Sequence, residues 1–277
     1  MKERVTLTIE KEILTKVDQT VNSTDVKNRS HAIELLLVKA FGDHKPSKAI
    51  ILAGGQGNRM KPMTNFIPKP MMRIHDKPLL EHNINLVKKH GVKDIIISIG
   101  YKGEQIKEYF GDGKQFGVNI TYIEETSPLG TAGPLNLLKD KIKDTFLLMN
   151  GDELKEIDLE DMFTFHRKNK GIATIALTTV EDPSIYGVAV MNGQKIMTFI
   201  EKPRRENAPS KLINAGLYLL EPEVFKMVPE GFAMMEQDIF PRLASQEKLI
   251  GYVFSGQWFD TGTPEKFEKA EQEWKGD

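Results

Sequence analysis

The sequence predicts an α/β protein of two domains: a small one over residues 1–45, and a larger one over residues 46–277 with a mixed, mostly parallel sheet. Three observations support this. A chain of 277 residues lies at the upper edge of one domain or the lower edge of two. From Lys48 onward, continuously apolar strands alternate with helical patterns, which is typical of a parallel sheet covered on both faces. Before Lys48, the pattern indicates only one short strand.

The composition excludes several classes of protein. Lys and Arg number 38 against 39 Asp and Glu, so any contact with nucleic acid must come from a local patch. The cysteine count of 0 excludes disulfides and thiolate metal sites. We find no apolar run of about eighteen residues and no basic-then-apolar leader. We therefore expect a cytoplasmic protein with no membrane partner.

The first domain begins with the stretch "RVTLTIE", from Arg4 to Glu10, in which polar and apolar residues alternate as in a strand. Two helical patterns follow, "KEILTKVDQTV" and "NRSHAIELLLVKAF", and either Asn28 or Ser30 starts the second. A segment of this size with a lone strand cannot close a core by itself. We expect its strand to pair with a second copy of the chain, which predicts a dimer.

The second domain alternates strands and helices up to Asp158, and a closely spaced antiparallel extension follows. A helix is expected from about Thr263. In parallel sheets, ligands bind at the carboxyl ends of the strands. The segments, in order, are "KAIILAGG", "KPLLEHNINLVKKHG", "DIIISIG", "GEQIKEYFGDG", "VNITYIEE", "TAGPLNLLKD" and "TFLLMNGD".

The first of these strands runs into glycines and is then followed by fixed positive charge. Glycines at a strand end let backbone N–H groups point into a concavity that suits phosphate oxygens. The two commonest phosphate loops are excluded, because Met60 stands where a third glycine would be and GxxxxGK[ST] is absent. Arg59 follows the glycines, and prolines on both sides restrict the backbone of Lys69. The pattern indicates positioned cations, whose side chains we expect to face open, phosphate-binding space.

The stretch "LAGGQGNRMKPMTNFIPKPM" resembles the signature LAGGxGTRxxPxTxxxPKPM of the sugar-phosphate nucleotidyltransferases. Further blocks occur in that family's order, and the resemblance covers Lys48 to Trp274. One departure is Asn58, where the family has threonine. The resemblance implies a Rossmann-like nucleotidyltransferase domain. The further blocks are "PLGTAGPL", "NGDE", "YGV", "EKP", "NAGLY" and "WFDTGTPEKF".

This resemblance implies transfer of a nucleotidyl group from a nucleoside triphosphate (NTP) to a hexose 1-phosphate, with release of pyrophosphate. "PLGTAGPL" favours mannose 1-phosphate with GTP. One alternative is glucose 1-phosphate with UTP or dTTP. Another is a regulator that senses sugar nucleotides and binds DNA through its first domain.

The resemblance also implies roles for individual residues. Arg59 would face the departing pyrophosphate, and Lys69 the α-phosphate. Asp152 and Asp260, brought together without lysine partners, would bind Mg²⁺; the alternative is that each carboxylate only caps a turn or helix. Glu153 is either a further ligand or an exposed loop charge. The nucleotide-binding set is Leu52, Ala53, Gly54, Gly55, Gly57, Asn58, Gly130 and Thr131, with Gly130 closest to the base and Thr131 starting a helix. The sugar-phosphate set is Gly187, Glu201, Lys202 and Asn214.

Residues 1–45 resemble a ribbon-helix-helix module, in which two chains pair their strands. The resemblance implies that Arg4, Thr6 and Thr8 face DNA bases and that Ser30 meets the DNA backbone. Residues 1–47 contain eight Lys and Arg against seven Asp and Glu, a balance that supplies little electrostatic affinity for DNA. We therefore expect residues 1–45 to mediate self-association.

Overall fold

A computed structural model of the chain describes residues 5–21, 26–41 and 45–276. The chain divides into two compact units, residues 1–44 and residues 45–277. Among the described residues, no helix is both long and apolar enough to cross a bilayer.

The first unit contains two helices, α1 (Lys11–Asp18) and α2 (Arg29–Phe41). The Asn28 side chain accepts a hydrogen bond from the backbone N–H of His31 at 2.9 Å, so Asn28 caps α2. A bidentate salt bridge joins the end of α1 to the start of α2, with Arg29 Nε and Nη2 each 2.7 Å from an oxygen of Asp18. Of the two starts proposed for the second helix, Asn28 is the correct one.

Residues 5–10, which precede α1, form no strand within this described part of the single chain. The side chains of Val5 and Leu7 are 70% and 55% exposed. A strand needs a hydrogen-bonded neighbour, and the expected neighbour was a second copy, so the paired strand stays a prediction. Thr6 and Thr8 lie exposed in this segment, Ser30 lies in the first turn of α2, and Arg4 falls outside the described residues.

The second unit is built on a nine-stranded sheet with the order β5-β4-β1-β6-β11-β8-β12-β10-β9. Its strands are continuously apolar where they are buried, as in β1 and β6. Two small ladders, β2–β3 and β7–β13, lie outside this sheet. The strands are β1 (Lys48–Ala53), β2 (Arg73–Ile74), β3 (Lys77–Pro78), β4 (Asp94–Ile99), β5 (Asn119–Glu124), β6 (Phe146–Asn150), β7 (Glu153–Lys155), β8 (Ala173–Thr179), β9 (Gly187–Asn192), β10 (Lys195–Glu201), β11 (Leu212–Leu220), β12 (Leu249–Val253) and β13 (Trp258–Asp260).

The sheet is mixed, as predicted, and seven of its nine strands run in one direction, while β10 and β11 run in the other. Strands β5, β4, β1 and β6 form a parallel half, and β8 pairs β12 in parallel. Every other pairing of this described sheet is antiparallel. The antiparallel pairings come from β11, which enters between β6 and β8 and runs antiparallel to both, and from β10, which runs antiparallel to β9 and β12.

Helices cover both faces of the sheet, and each face packs on its own apolar cluster. Neighbouring residues of β1 point to opposite sides, since Ile50 belongs to one cluster and Ile51 to the other. The segment "TAGPLNLLKD" forms a 3₁₀ turn over Gly133–Leu137 instead of the predicted helix. The helices are α3 (Leu79–Lys89), α4 (Gly103–Phe110), α5 (Leu159–Asn169), α6 (Phe240–Ser245) and α7 (Pro264–Glu273).

Candidate active site

The glycine-rich loop leaves the sheet directly after β1, which lies between the parallel strands β4 and β6. Two of its glycines pack closely against other residues. A Cβ atom at Gly54 would stand 2.4 Å from Glu125 Oε1. Gly57 adopts a φ of 63°, and a Cβ there would stand 2.8 Å from Thr64 Cγ2. The loop therefore packs closely at the carboxyl end of the central strands.

This loop forms one wall of a cavity of about 330 Å³, which we call the glycine-loop cavity. Of the predicted nucleotide-binding set, every residue except Asn58 lines it. Asn58 begins a 3₁₀ turn, and its amide donates to Gln56 Oε1 at 3.4 Å. The lining residues are Leu52, Ala53, Gly54, Gly55, Gln56, Gly57, Lys69, Pro70, Glu125, Pro128, Gly130, Thr131, Asn150, Asp152, Phe232 and Met234.

Lys69 and Asp152, two of the predicted catalytic residues, meet in this cavity. The Lys69 ammonium donates to Asp152 Oδ2 at 2.8 Å. The Lys69 side chain is only 7% exposed, whereas that of Asp152 is 37% exposed. The expectation that Lys69 faces open space is therefore wrong, because the lysine lies in the cavity wall with its charge turned onto the carboxylate.

The second predicted metal ligand, Asp260, is brought beside Asp152 by the β7–β13 ladder. In that ladder Asp260 pairs in register with Glu153, the residue after Asp152. The hydroxyl of Thr261 also donates to the backbone carbonyl of Asp152 at 2.6 Å. The ladder and this hydrogen bond thus hold two segments that are distant in the sequence side by side, next to the two carboxylates.

The premise that these carboxylates lack lysine partners is wrong. Lys266 Nζ lies 2.5 Å from Asp260 Oδ2, and the Tyr186 hydroxyl donates to the same oxygen at 3.1 Å. The other oxygen of Asp260 accepts from the backbone N–H of Gly262 at 2.8 Å, so it does cap a turn. Helix α7 has a different cap, Thr263. Burial raises the pKa of Asp260, but the hydrogen bond and charge of Lys266 outweigh it and hold this pKa below its usual value.

Arg59 approaches Asp260 from the glycine-rich loop. A Cβ atom at Gly262 would stand 2.7 Å from Arg59 Nη2 and 2.7 Å from Asp260 Oδ1. Together with Lys69, the guanidinium charge helps to lower the pKa of Asp260. The site thus combines cations from three segments with two carboxylates, an arrangement suited to a ligand that carries several negative charges.

Glu153 is neither an exposed charge nor placed like a metal ligand. Its carboxylate accepts from Asn150 Nδ2 at 2.9 Å and from Trp258 Nε1 at 3.3 Å, and it lies 3.6 Å from Lys155 Nζ. Burial raises the pKa of Glu153 and lowers that of Lys155. Gly216 makes room for this carboxylate, because a Cβ there would stand 2.3 Å from Glu153 Oε2.

The residues predicted to bind the sugar phosphate lie on β9, β10 and β11 or, for Lys202, directly after β10, and none of them lines the glycine-loop cavity. Glu201 and Gly187 are opposite each other in the β9–β10 ladder. Lys202 Nζ lies 3.3 Å from Glu201 Oε1 and is 63% exposed. The missing side chain of Gly187 is explained by packing, since a Cβ there would stand 2.3 Å from the ring of Phe199.

Asn214 is connected to the cavity by a chain of hydrogen bonds. Its amide donates to the Tyr218 hydroxyl at 2.9 Å, and that hydroxyl donates to Glu236 Oε1 at 3.4 Å. The Thr131 hydroxyl donates to Glu236 Oε2 at 2.5 Å and accepts from the backbone of Met235 at 2.8 Å. Thr131 therefore joins two segments and starts no α-helix. Burial raises the pKa of Glu236.

Gly130 packs against protein backbone as well as lining the cavity. A Cβ atom at Gly130, whose φ is 77°, would stand 2.4 Å from the carbonyl oxygen of Ala233. Two backbone hydrogen bonds hold the same contact. The N–H of Ala132 donates to the carbonyl of Ala233, and the N–H of Ala233 donates to the carbonyl of Leu129. The glycines of "PLGTAG" are thus required where residues 229–235 approach the loop.

Sequence reasoning missed Lys266, Glu236 and Phe232. Lys266 lies inside the quoted block "WFDTGTPEKF", but the sequence did not indicate that its ammonium pairs with Asp260. Glu236 and Phe232 belong to no quoted block, and only the fold brings them to the cavity. No group of three or more His, Cys, Asp or Glu suited to a metal occurs among the residues that the structure describes.

The fold and this site define an α/β protein with cations and carboxylates gathered at the strand ends. A family model described as Nucleotidyl transferase matches residues 48–275. The chain belongs to this family. Two similar proteins are mannose-1-phosphate guanyltransferases, from Yarrowia lipolytica at 38% identity over 229 residues and from Saccharomyces cerevisiae at 37% over 230 residues. Each alignment covers 79% of this chain and 62% of the relative, so the chain spans about three fifths of their length.

Solved structures are similar over the same region. A Bacillus anthracis protein, described as a glucose-1-phosphate thymidylyltransferase in complex with a sucrose, superposes with a TM-score of 0.75 at 29% identity. The superposition covers 81% of this chain and 94% of that one. This similarity supports the fold of residues 45–276 as that of a sugar nucleotidyltransferase.

Proposed function

We propose that the chain transfers a nucleotidyl group from an NTP to a hexose 1-phosphate, with GTP and mannose 1-phosphate as the favoured pair. The observation that carries this proposal is the meeting of the Lys69–Asp152 ion pair with Asp260 and Arg59 beside a glycine-lined cavity. The mannose-1-phosphate guanyltransferases among the similar proteins support the choice of substrates.

In the proposed reaction, an oxygen of the sugar phosphate forms a bond to the α-phosphorus of the NTP. The bond from that phosphorus to its bridging oxygen breaks, and pyrophosphate leaves. A phosphate monoester, whose second pKa is about 6, is already mostly a dianion at neutral pH, so the site needs no general base. The difficulty is that two anions must meet, and catalysis consists of positioning and charge neutralisation.

The residues of this site suit that task. Lys69 neutralises the α-phosphate, and Arg59 neutralises the pyrophosphate that departs. Lys202, exposed at the end of β10, binds the sugar phosphate, while Glu201 and Asn214 hold sugar hydroxyls.

The partly open carboxylate of Asp152 fits Mg²⁺, which binds oxygen ligands and is commonly held by one or two carboxylates together with substrate phosphates. Asp152 is 37% exposed beside the cavity, so one side of this carboxylate is open to a ligand. Asp152 would hold the ion, and Asp260 would join it by exchanging one of its present partners, Lys266, Tyr186 or Gly262. When bound, Mg²⁺ would draw charge from the phosphate oxygens.

An assay of pyrophosphate release over a matrix of NTPs and sugar 1-phosphates tests this function. We expect mannose 1-phosphate with GTP to give the highest kcat/KM. If glucose 1-phosphate with UTP or dTTP gives the highest value instead, the substrates are wrong but the reaction stands. Absence of pyrophosphate release with every pair contradicts the proposal.

For residues 1–45 we propose self-association as a ribbon-helix-helix module, with duplex DNA as a candidate ligand. The alternating exposed residues Val5 and Leu7 support it, because a second strand would bury both of them. Thr6 and Thr8 occupy the alternate positions of this segment and are exposed, so their side chains would be the ones to contact DNA. Light scattering of the full chain and of a variant lacking residues 1–45 tests self-association, and a monomeric full chain contradicts it. Duplex binding that survives physiological salt and is lost on changing Arg4, Thr6 and Thr8 would support the DNA half.

A further inference from the structure

Phe232 is an aromatic side chain that lines the glycine-loop cavity and is nevertheless 64% exposed. Exposing a phenyl ring to water is unfavourable, at about 25 cal/mol for each Å² of apolar surface. The lining also contains the apolar side chains of Leu52, Pro128 and Met234. An exposed ring beside other apolar side chains in the wall of a cavity indicates a surface that a ligand covers.

The backbone that carries this ring is firmly held. Next to it, the N–H of Ala233 donates to the carbonyl of Leu129 at 3.0 Å, and the Ala233 carbonyl accepts from Ala132 at 2.8 Å. On the other side, Asn136 Nδ2 donates to the carbonyl of Pro229 at 2.6 Å. These bonds tie the segment to the loop that contains Gly130, so Phe232 is presented from a fixed frame and is not the tip of a free loop.

The cavity has two kinds of lining, and an NTP has two matching parts. Lys69 is a cation suited to a phosphate chain, whereas apolar side chains and glycine backbone suit a flat base. Every nucleobase offers a π-face, and its stacking on an aromatic side chain contributes binding energy whichever base is present. A phenyl ring has no hydrogen-bonding group, so it would hold the base without selecting it.

We propose that Phe232 stacks on the base of the bound NTP and so contributes to nucleotide affinity. This inference rests on the proposed function, because it takes an NTP as the occupant of the cavity. In this arrangement Phe232 binds the base and the cations bind the phosphates. Polar groups of the cavity wall select which base is bound.

Titration calorimetry with Mg²⁺ and without sugar phosphate measures this contribution with no turnover. The probes are GTP, ATP, UTP and CTP, and inorganic tripolyphosphate, which has charge but no base. We expect Phe232→Ala to weaken the best-binding NTP about fivefold or more while tripolyphosphate binding is unchanged. Phe232→Tyr keeps the ring and should retain affinity, whereas Phe232→Leu keeps apolar bulk and should lose it.

Leu137→Ala is the matched control, because Leu137 is 46% exposed, ends the neighbouring 3₁₀ turn and does not line the cavity. It should leave all affinities unchanged. Equal NTP affinity of Phe232→Ala and wild type overturns the inference alone. Equal losses for NTP and tripolyphosphate also overturn it, since the ring would then act on the loop and not on the base. A wild type that binds none of the four NTPs contradicts the proposed function as well.

Discussion

The ammonium of Lys69 and the carboxylate of Asp152 are separated by 83 positions in the chain and lie 2.8 Å apart in the fold. Each of them is therefore already oriented before any ligand arrives. The lysine is nearly buried, and without the carboxylate its charge would lack the partner that burial demands. The pair thus connects the structure of the site to its chemistry.

We predict that Asp152→Asn lowers kcat by about 100-fold or more and changes the KM values far less. The substitution keeps the shape of the side chain but removes the charge that acts on the phosphates in the transition state. Initial rates of pyrophosphate release over a range of both substrates measure the two effects. A variant with wild-type kcat would show that Asp152 has no such role.

We predict that excess chelator abolishes pyrophosphate release and that added Mg²⁺ restores it. The reason is that two carboxylates and several phosphate oxygens form a typical oxygen site for this ion. The melting temperature, measured in the same buffers without substrate, serves as a control and should hardly change, because Lys69 and Lys266 already neutralise the carboxylates. Full activity in chelator would contradict the metal assignment.

We predict that Lys69→Ala lowers kcat by about 100-fold or more and also destabilises the protein by about 1 kcal/mol, or 2–4 °C in Tm. Removing the ammonium leaves Asp152, which is only partly exposed, without its partner. The control is Lys114→Ala, which breaks a pair of the same 2.8 Å length in which the lysine is 81% exposed. That control should alter neither rate nor Tm, and a similar response of both variants would argue against a special role for Lys69.

We predict that Glu236→Gln stabilises the protein progressively as the pH rises above 4.5. Burial raises the pKa of Glu236 above its ordinary 4.5, so between the two values the folded state holds the proton more tightly than the unfolded state. The wild-type free energy of unfolding therefore falls as the pH rises through this window, and the variant lacks that fall. Urea unfolding at a series of pH values measures the difference.

The control for this titration is Glu247→Gln. The hydrogen bond from Lys195 lowers the pKa of Glu247, which reverses the sign. Its stabilising contribution is present above the unfolded pKa and is lost as the pH falls through the lowered folded pKa. A difference in unfolding free energy for Glu236→Gln that stays constant from pH 4 to pH 8 would refute the assignment.

We predict that the double variant Val5→Asp with Leu7→Asp gives a smaller assembly than wild type in light scattering, while pyrophosphate release is retained. Two carboxylates on the apolar side of the first segment would oppose burial against a second strand. Thr6→Ala with Thr8→Ala changes only the alternate positions and should leave the assembly intact. If the Asp variant and wild type have equal mass, the association does not use this segment.

The sequence predicted the glycine-rich loop well because local rules govern it: an apolar strand, glycines and a proline-bounded lysine follow one another within the run from Lys48 to Pro70. The partners of the charges were not predictable in this way. Lys266 lies only six positions beyond Asp260 in the chain. The turn at Gly262 and the start of α7 bring its ammonium back to the carboxylate.

The antiparallel insertion of β11 and the contact between Gly130 and Ala233 were also beyond local reasoning. Both depend on segments about 70 to 100 positions apart in the chain. A glycine that admits a ligand and a glycine that admits another stretch of backbone look the same in a sequence. Only the fold shows that Gly130 does the second, and only the fold reveals the exposed ring of Phe232.

The hydroxyl of Thr261 reaches back 109 positions to the backbone of Asp152, and the ladder of β13 on β7 begins just before it. During synthesis the glycine-rich loop, Lys69 and Asp152 therefore emerge from the ribosome long before their last partners. The sheet's parallel half has all its strands by residue 150, yet a nascent chain halted before residue 258 has no second carboxylate. Catalytic competence is thus acquired in a late step of biogenesis, after most of the surrounding scaffold has been made.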